Sequence, residues 1–359
     1  MKIAYYLNKE KFSRVLAPFS KVQNCEQLVF KKPIVNFDSL PTKDFYKHSQ
    51  LIRGIKEFNP DVLATTSQRF LTTRLADRTP CVFLNHCILR SGDYFKDQAL
   101  GCYNNFDLLF VATKQCKQTL LDLNILNEKK IITNALPQLD LLYDVVSNND
   151  FYRNLICKLV DFNPNRIISV FQHNLYQRPD LNKIYYNSII ALANLAERNN
   201  WLILVKEKVE NSFEYLSKLN AKNDDILNVF NSFNELKINK HVRFFSNVEN
   251  PYLCFCADAI VVFNRYSVET EAHLAKKPLI VIENNKNKEN LGELNEIKNS
   301  ISYIISNENE LENLVRHIFL NPESRNKLQE KFIDFLGVSF DGKHSERIIS
   351  CFKNILHIN

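Results

Sequence analysis

Short apolar runs alternate with amphipathic stretches along most of the chain. In the first half, Lys2–Leu7, Gln27–Phe30, Val62–Ala64, Cys81–Leu84, Leu108–Ala112 and Lys130–Thr133 have the length and branching of strands. Phe45–Phe58 and Lys114–Leu123 carry apolar residues at helical spacing. Polar stretches at Ser147–Asp150 and Asp161–Asn165 interrupt the pattern, which then restarts. Arg166–Phe171, Trp201–Lys206, Val242–Phe245, Ala259–Phe263, Leu279–Ile282 and Ser302–Ile305 read as strands. Lys183–Arg198, Val268–Lys276, Asn309–Leu320 and Pro322–Leu336 read as helices. Alternation of this kind predicts an α/β fold of parallel sheets with helices on both faces. The restart predicts two Rossmann-like domains facing across a cleft, because doubly wound sheets bind ligands beyond the carboxyl ends of their strands. The expected division is residues 1–150, residues 166–336, and a C-terminal helix in 337–359 that packs back on the domain junction.

The segment around residues 257–283 concentrates the chemistry. Between two apolar strands lie a polar turn and a short helix, with Tyr266 and Ser267 at its mouth and Glu271 about one turn inside. A helix N-terminus offers unpaired N–H groups and a positive dipole end, which suit a phosphate. A carboxylate one turn in can accept hydrogen bonds from sugar hydroxyls. The unit can therefore hold a nucleotide diphosphate, although an ordinary capped helix between two strands has the same pattern.

Composition narrows the function. The chain has 359 residues, 45% of them hydrophobic, room enough for two domains with full cores. With only six glycines, it contains neither GxGxxG nor GxxxxGK[ST], which argues against nicotinamide-dinucleotide enzymes and Walker ATPases. The net charge of +6 is spread among interleaved Lys and Glu, not gathered in a block, so nucleic acid is not the expected partner. Anionic substrates, or work near anionic lipid, fit it. The nine cysteines are odd in number and scattered, as expected of reduced thiols in a cytoplasmic protein. No stretch reaches transmembrane length, so any membrane contact is peripheral. No His/Cys/Asp cluster has metal-ligand spacing, and neither a metal nor a cofactor is expected.

Several blocks, in order, resemble the CDP-glycerol glycerophosphotransferase family, which makes teichoic-acid-like polymers on a GT-B architecture. Asn264–Pro278 resembles the family's Asp-Tyr-Ser-Ser-x-x-x-x-Asp-x-x-x-x-x-Lys-Pro block: Ser267 falls on the second Ser, Glu271 on the later Asp and Lys277-Pro278 on the Lys-Pro. Asn264 and Tyr266 depart from it, standing at the first Asp and the first Ser. Thr133–Asp140 resembles Thr-Gly-x-Pro-x-x-Asp with the Gly lost and one residue added. Phe83–Cys87 resembles Trp-His-Gly, with His86 kept and Cys87 in place of the Gly. Ser169–His173 lies where the family has a strand and a Pro-Thr-x-Arg turn, which is not kept. Asp341–Arg347 is similar to Asp-Gly-x-x-x-x-Arg. The likeness runs from about residue 80 onward, and the Asn264–Pro278 block also resembles nucleotide-sugar 2-epimerases and other GT-B transferases for surface glycans.

The resemblance implies a transferase that uses a nucleotide-activated donor, CDP-glycerol or a nucleotide sugar. The acceptor would be a glycan or lipid-linked glycan of the bacterial surface, such as capsule, lipopolysaccharide or teichoic acid. His86, directly after a strand, is the candidate base for the acceptor hydroxyl, and His173, after another strand, is a second catalytic candidate. Tyr266, Ser267, Glu271, Lys206 and Arg265 are the candidate donor-nucleotide contacts, and Arg178 is a further guanidinium in reach of phosphate. Glu269 and Glu271, two apart on a helix, cannot share a face, and Glu271 is the better match for the ligand side. His241, His273 and His344 have no partner pattern. A nucleotide-sugar 2-epimerase and a non-catalytic nucleotide-sugar-binding protein are the alternatives.

Overall fold

The computed structural model describes residues 1–9, 12–67, 79–85, 103–124, 127–173, 179–207, 235–246, 248–263, 267–283, 297 and 299–358. Two compact units divide the chain: Met1–Asp144 with Leu336–Asn359, and Val145–Phe335.

The first unit is built on seven parallel strands. These are β1 (Lys2–Leu7), β2 (Glu26–Lys31), β3 (Thr42–Asp44), β4 (Val62–Thr65), β5 (Cys81–Leu84), β6 (Leu108–Phe110) and β7 (Ile131–Ile132), in the spatial order β3-β2-β1-β4-β5-β6-β7. Both faces of the sheet are covered, and the period of two shows in the residues each face buries. Ile3, Tyr5 and Leu7 with Val62, Ala64, Val82 and Leu84 pack on one side. Ala4, Leu63, Cys81 and Phe83 pack on the other, against Leu51 and Ile55 of the helix His48–Phe58 and Cys116 and Leu120 of the helix Lys114–Asp122. The first face is completed by the C-terminal helix, His344–Ile358, through Ile348, Ile349 and Phe352.

The second unit carries β8 (Arg166–Phe171), β9 (Trp201–Lys206), β10 (Val242–Phe245), β11 (Ala259–Phe263), β12 (Leu279–Ile282) and β13 (Tyr303–Ile305), all parallel, in the order β10-β9-β8-β11-β12-β13. Every residue of β11 and β12 is buried, as expected of β-branched runs in the middle of a two-sided sheet. The chain leaves β8 toward β9 on one side and returns to β11 on the other. The direction of winding therefore reverses between β8 and β11, and this is the switch point of the sheet.

Some elements differ from the sequence pattern. The helix expected over Phe45–Phe58 starts at His48, because Thr42–Asp44 forms an edge strand whose three side chains are all exposed and leave no apolar signature. The polar stretch Ser147–Asp150 is not a break. It joins two helices, Gln138–Ser147 and Asn149–Val160, and the second stops at Asp161 in left-handed conformation. The helix expected over Val268–Lys276 is Ser267–Leu274, stopped by Lys276 at φ +54°.

The scarcity of glycine leaves a mark on the turns. Seven residues other than glycine have positive φ among the described residues, and five of them are asparagine: Asn24, Asn59, Asn124, Asn134 and Asn200. Asparagine tolerates the left-handed region at small cost, so it closes helices here as glycine does elsewhere. Asn59 and Asn200 end the helices His48–Phe58 and Asn182–Asn199 in this way.

Candidate functional site

The carboxyl edge of the second sheet carries a buried polar set. Phe171 at the end of β8 pairs with Lys206 of β9 on one side and Val262 of β11 on the other. Two residues beyond Phe171, His173 is fully buried, with Nε2 2.9 Å from the Asn182 Oδ1. Its ring lies 6.0 Å from Phe263, the last residue of β11, and 5.6 Å from Tyr185. His173 therefore stands at the switch point, against the end of β11. Gln172 beside it is buried and donates its backbone N–H to the Lys206 carbonyl at 3.1 Å.

Lys206 is half-buried and donates from Nζ to the Ser246 carbonyl oxygen. Burial pushes its ammonium below the usual lysine value, against the pull of Glu249 and Glu207. Burial pushes the neighbouring Glu207 carboxyl upward, opposed by Lys237 and Lys206. Tyr185 and Tyr186 are buried beside this edge, and desolvation holds both phenols protonated far above neutral pH. The edge thus combines a half-buried lysine and carboxyl with two buried, neutral phenols.

On the other side of the switch point, the helix Ser267–Leu274 follows β11. Ser267 is its first residue. Glu271 lies just over one turn in and is 4% exposed. Glu269 is fully buried, and the Ser302 hydroxyl lies 3.5 Å from its Oε1. Two residues are about 200° apart round a helix, so Glu271 is turned away from the flank that meets Ser302. His86, Arg265, Tyr266 and Arg178 lie outside the described residues, as does the side chain of Ser267. His86 follows Asn85, which is buried after β5 and donates its N–H to the Phe110 carbonyl at 3.1 Å.

Two sequence blocks of the first unit form one cluster. The Asp140 carboxylate accepts the backbone N–H groups of His344 at 2.8 Å and Ser345 at 2.7 Å, which caps the C-terminal helix from outside the helix. His344 is fully buried. Its Nδ1 accepts the Leu136 N–H at 3.2 Å, which leaves Nε2 to donate to the Ser339 carbonyl at 2.7 Å. Burial lowers the His344 pKa below the usual histidine value, partly offset by the Asp140 charge. Asn134, where the resembled pattern has glycine, has φ +57° and exchanges two hydrogen bonds with Ser339, at 2.7 and 2.8 Å. Gly342 has φ +69°, and a Cβ there would sit 2.7 Å from Tyr143 Cδ1, so this turn needs glycine. The two blocks anchor the C-terminal helix, and His344 has the partners that its sequence surroundings did not reveal.

Other features bound the chemistry. Burial pushes the Cys81 and Cys256 thiols up to about 12, so neither is a thiolate nucleophile at neutral pH. Among the described residues there is no group of three or more His, Cys, Asp or Glu able to hold a metal ion. Among them, too, no helix is long and apolar enough to cross a membrane. The sequence pattern held no signal for Gln172, Asn182, Tyr185, Tyr186 and Glu207, which the ends of β8 and β9 and the helix Asn182–Asn199 bring to one edge.

No family model matches the chain, and no curated protein matches it. Solved structures do match it in fold. One is the wall teichoic acid polymerase TagF, with 13% identity, 99% of this chain and 89% of that chain covered, and a TM-score of 0.72. Another is the UDP-GlcNAc 2-epimerase from Neisseria meningitidis bound to UDP-GlcNAc, with 13% identity, 99% and 100% covered, and a TM-score of 0.66. A third is the UDP-GlcNAc 2-epimerase from Methanocaldococcus jannaschii, with 17% identity, 99% and 100% covered, and a TM-score of 0.61. At these identities the likeness is one of fold, and the chain has the two-unit, parallel-sheet α/β architecture of GT-B type.

Proposed function

We propose that this chain is a GT-B-type transferase that uses a nucleotide-activated donor, CDP-glycerol or a nucleotide sugar, to build a bacterial surface glycan or glycerol-phosphate polymer. The observation that carries the reading is the second unit's switch point. There the helix Ser267–Leu274, with buried Glu271, follows one central strand, and His173 stands at the end of the next. In this reading the diphosphate lies at the helix N-terminus, with Ser267, Tyr266 and Arg265 around it and Lys206 nearby as a cation. Glu271 accepts hydrogen bonds from the ribose hydroxyls. His173 is a positioning or second catalytic group, and His86 takes the proton of the acceptor hydroxyl. The acceptor is a glycan or lipid-linked glycan, reached by peripheral contact with the inner membrane face.

A second reading is a nucleotide-sugar 2-epimerase. The 2-epimerases among the fold neighbours, one of them bound to UDP-GlcNAc, support it as well as the polymerase supports the first. One experiment separates the two. Purified protein is incubated with CDP-glycerol, CMP-linked and UDP-linked donors, with and without a glycan acceptor, and thermal shift and nucleotide release are recorded. Acceptor-dependent release supports the transferase. Interconversion of a free UDP-sugar without acceptor supports the epimerase. Absence of any thermal shift across the panel would sink both.

A further inference from the structure

Behind the helix Ser267–Leu274 runs a chain of buried polar groups that the proposed site does not use. Glu269 and His273 are fully buried, and Ser302 and Gln329 are 2% and 1% exposed. Glu269 and His273 are four apart and share the helix flank opposite Glu271. Gln329, on the helix Asn326–Leu336, donates its amide to the Lys277 carbonyl at 3.0 Å and lies 3.3 Å from His273 Nδ1. That ring nitrogen is therefore the acceptor, and Nε2 carries the hydrogen. Nε2 donates to the Ser302 oxygen at 3.1 Å, which turns the Ser302 hydroxyl toward Glu269 Oε1 at 3.5 Å. Phe332 closes over the imidazole, ring to ring at 5.5 Å.

The chain of donors runs one way, from Gln329 through His273 and Ser302 to Glu269. It ties both turns of a short helix to residues beside β13 and on a second helix. Such a tie fixes the rotation of the helix about its axis. A slip of one residue would swing every side chain by about 100°. Glu271, on the opposite flank of the same helix, would swing with the rest.

We infer that Glu269, Ser302, His273 and Gln329 are positioning residues that aim Glu271 at the ribose of a bound nucleotide. The inference rests on the nucleotide reading of this helix and names what makes its carboxylate selective. Tying a buried carboxylate costs desolvation, and a leucine would pack there with no such cost. Orientation accounts for a polar side chain at this buried position.

The test is calorimetry with UDP and CDP and with their 2′,3′-dideoxy analogues, on the full chain. A carboxylate that accepts from ribose hydroxyls should make the wild type prefer the ribonucleotide by about tenfold or more. Ser302→Ala and Glu269→Leu should lose that preference, falling to within about threefold, while dideoxynucleotide affinity stays within about threefold of wild type. Glu269→Gln, which keeps an acceptor for the Ser302 hydroxyl, should retain the preference. Nitrogen-15 shifts should place the His273 hydrogen on Nε2 in the wild type. A Ser302→Ala protein with intact ribose preference, or with equal losses for both kinds of nucleotide, would overturn the inference and leave the nucleotide reading standing. A wild type that binds no nucleotide would overturn both.

Discussion

Replacing Asp140 with alanine tests the anchoring of the C-terminal helix. In the wild type, one carboxylate oxygen takes the His344 N–H and the other the Ser345 N–H, at 2.8 and 2.7 Å, in a setting where Asp140 is 9% exposed. A hydrogen bond to a charged group contributes about 1.5–3 kcal/mol, and truncating one partner strands the other in a buried place. The negative end of the pair also faces a helix N-terminus, worth about 0.3–1 kcal/mol. The two bonds share one helix start and do not add fully, so the expected loss is about 3–5 kcal/mol. That is a large share of the roughly 5–15 kcal/mol that holds a domain together. In urea, with a slope near 2 kcal/mol per molar, the first unit's midpoint should fall by about 2 M. Asp140→Asn keeps one acceptor oxygen and should lose about half as much. Hydrogen exchange should show the amides of residues 344 and 345 opening first. An alanine variant within about 0.5 kcal/mol of wild type, the range of an unremarkable surface change, would refute the capping argument.

Three further outcomes are expected. The folded-state pKa of His344 is depressed by burial below its usual 6.5. Its contribution to stability is therefore fully present above that unfolded value and lost as pH falls through the folded one; first-unit melting should drop on acidification below about 6.5, and His344→Gln should flatten that slope. Glu271→Ala should weaken UDP or CDP binding by about tenfold to a hundredfold in calorimetry, and unchanged affinity would count against the site. His86→Asn, similar in bulk but unable to serve as the base, should lower transfer by about a hundredfold to ten-thousandfold with donor affinity retained; near wild-type transfer would shift attention to His173.

The sheets were legible because their strands are unbroken apolar runs. β5, β8, β9, β11 and β12 have the bounds their patterns predict, since both faces of each are buried and every residue but Arg166 and Lys206 is buried. β3 was illegible for the opposite reason: all three of its residues are exposed, so backbone pairing at an edge holds it without a hydrophobic code. Of the candidate site residues, His173 could be named because it follows a strand, and Glu271 because it lies about one turn inside the helix after β11. The roles of His273 and His344 could not. Each histidine is satisfied by groups 29 to 56 or 5 to 208 residues away, and no local spacing encodes such a partner. The missing glycine before Ala135 had an answer in composition, because this chain uses asparagine for left-handed turns throughout.

The first unit is discontinuous in sequence, and this matters at the ribosome. Its sheet strands emerge early, yet one face, partly covered by Phe12, Val15, Leu16 and Phe19, is completed only when Ile348, Ile349 and Phe352 arrive with the C-terminal helix. By then every residue of the second unit has already left the exit tunnel. Vectorial synthesis thus reverses the usual order, in which the domain begun first is finished first. For the time needed to translate the second unit, that sheet face lacks part of its apolar cover.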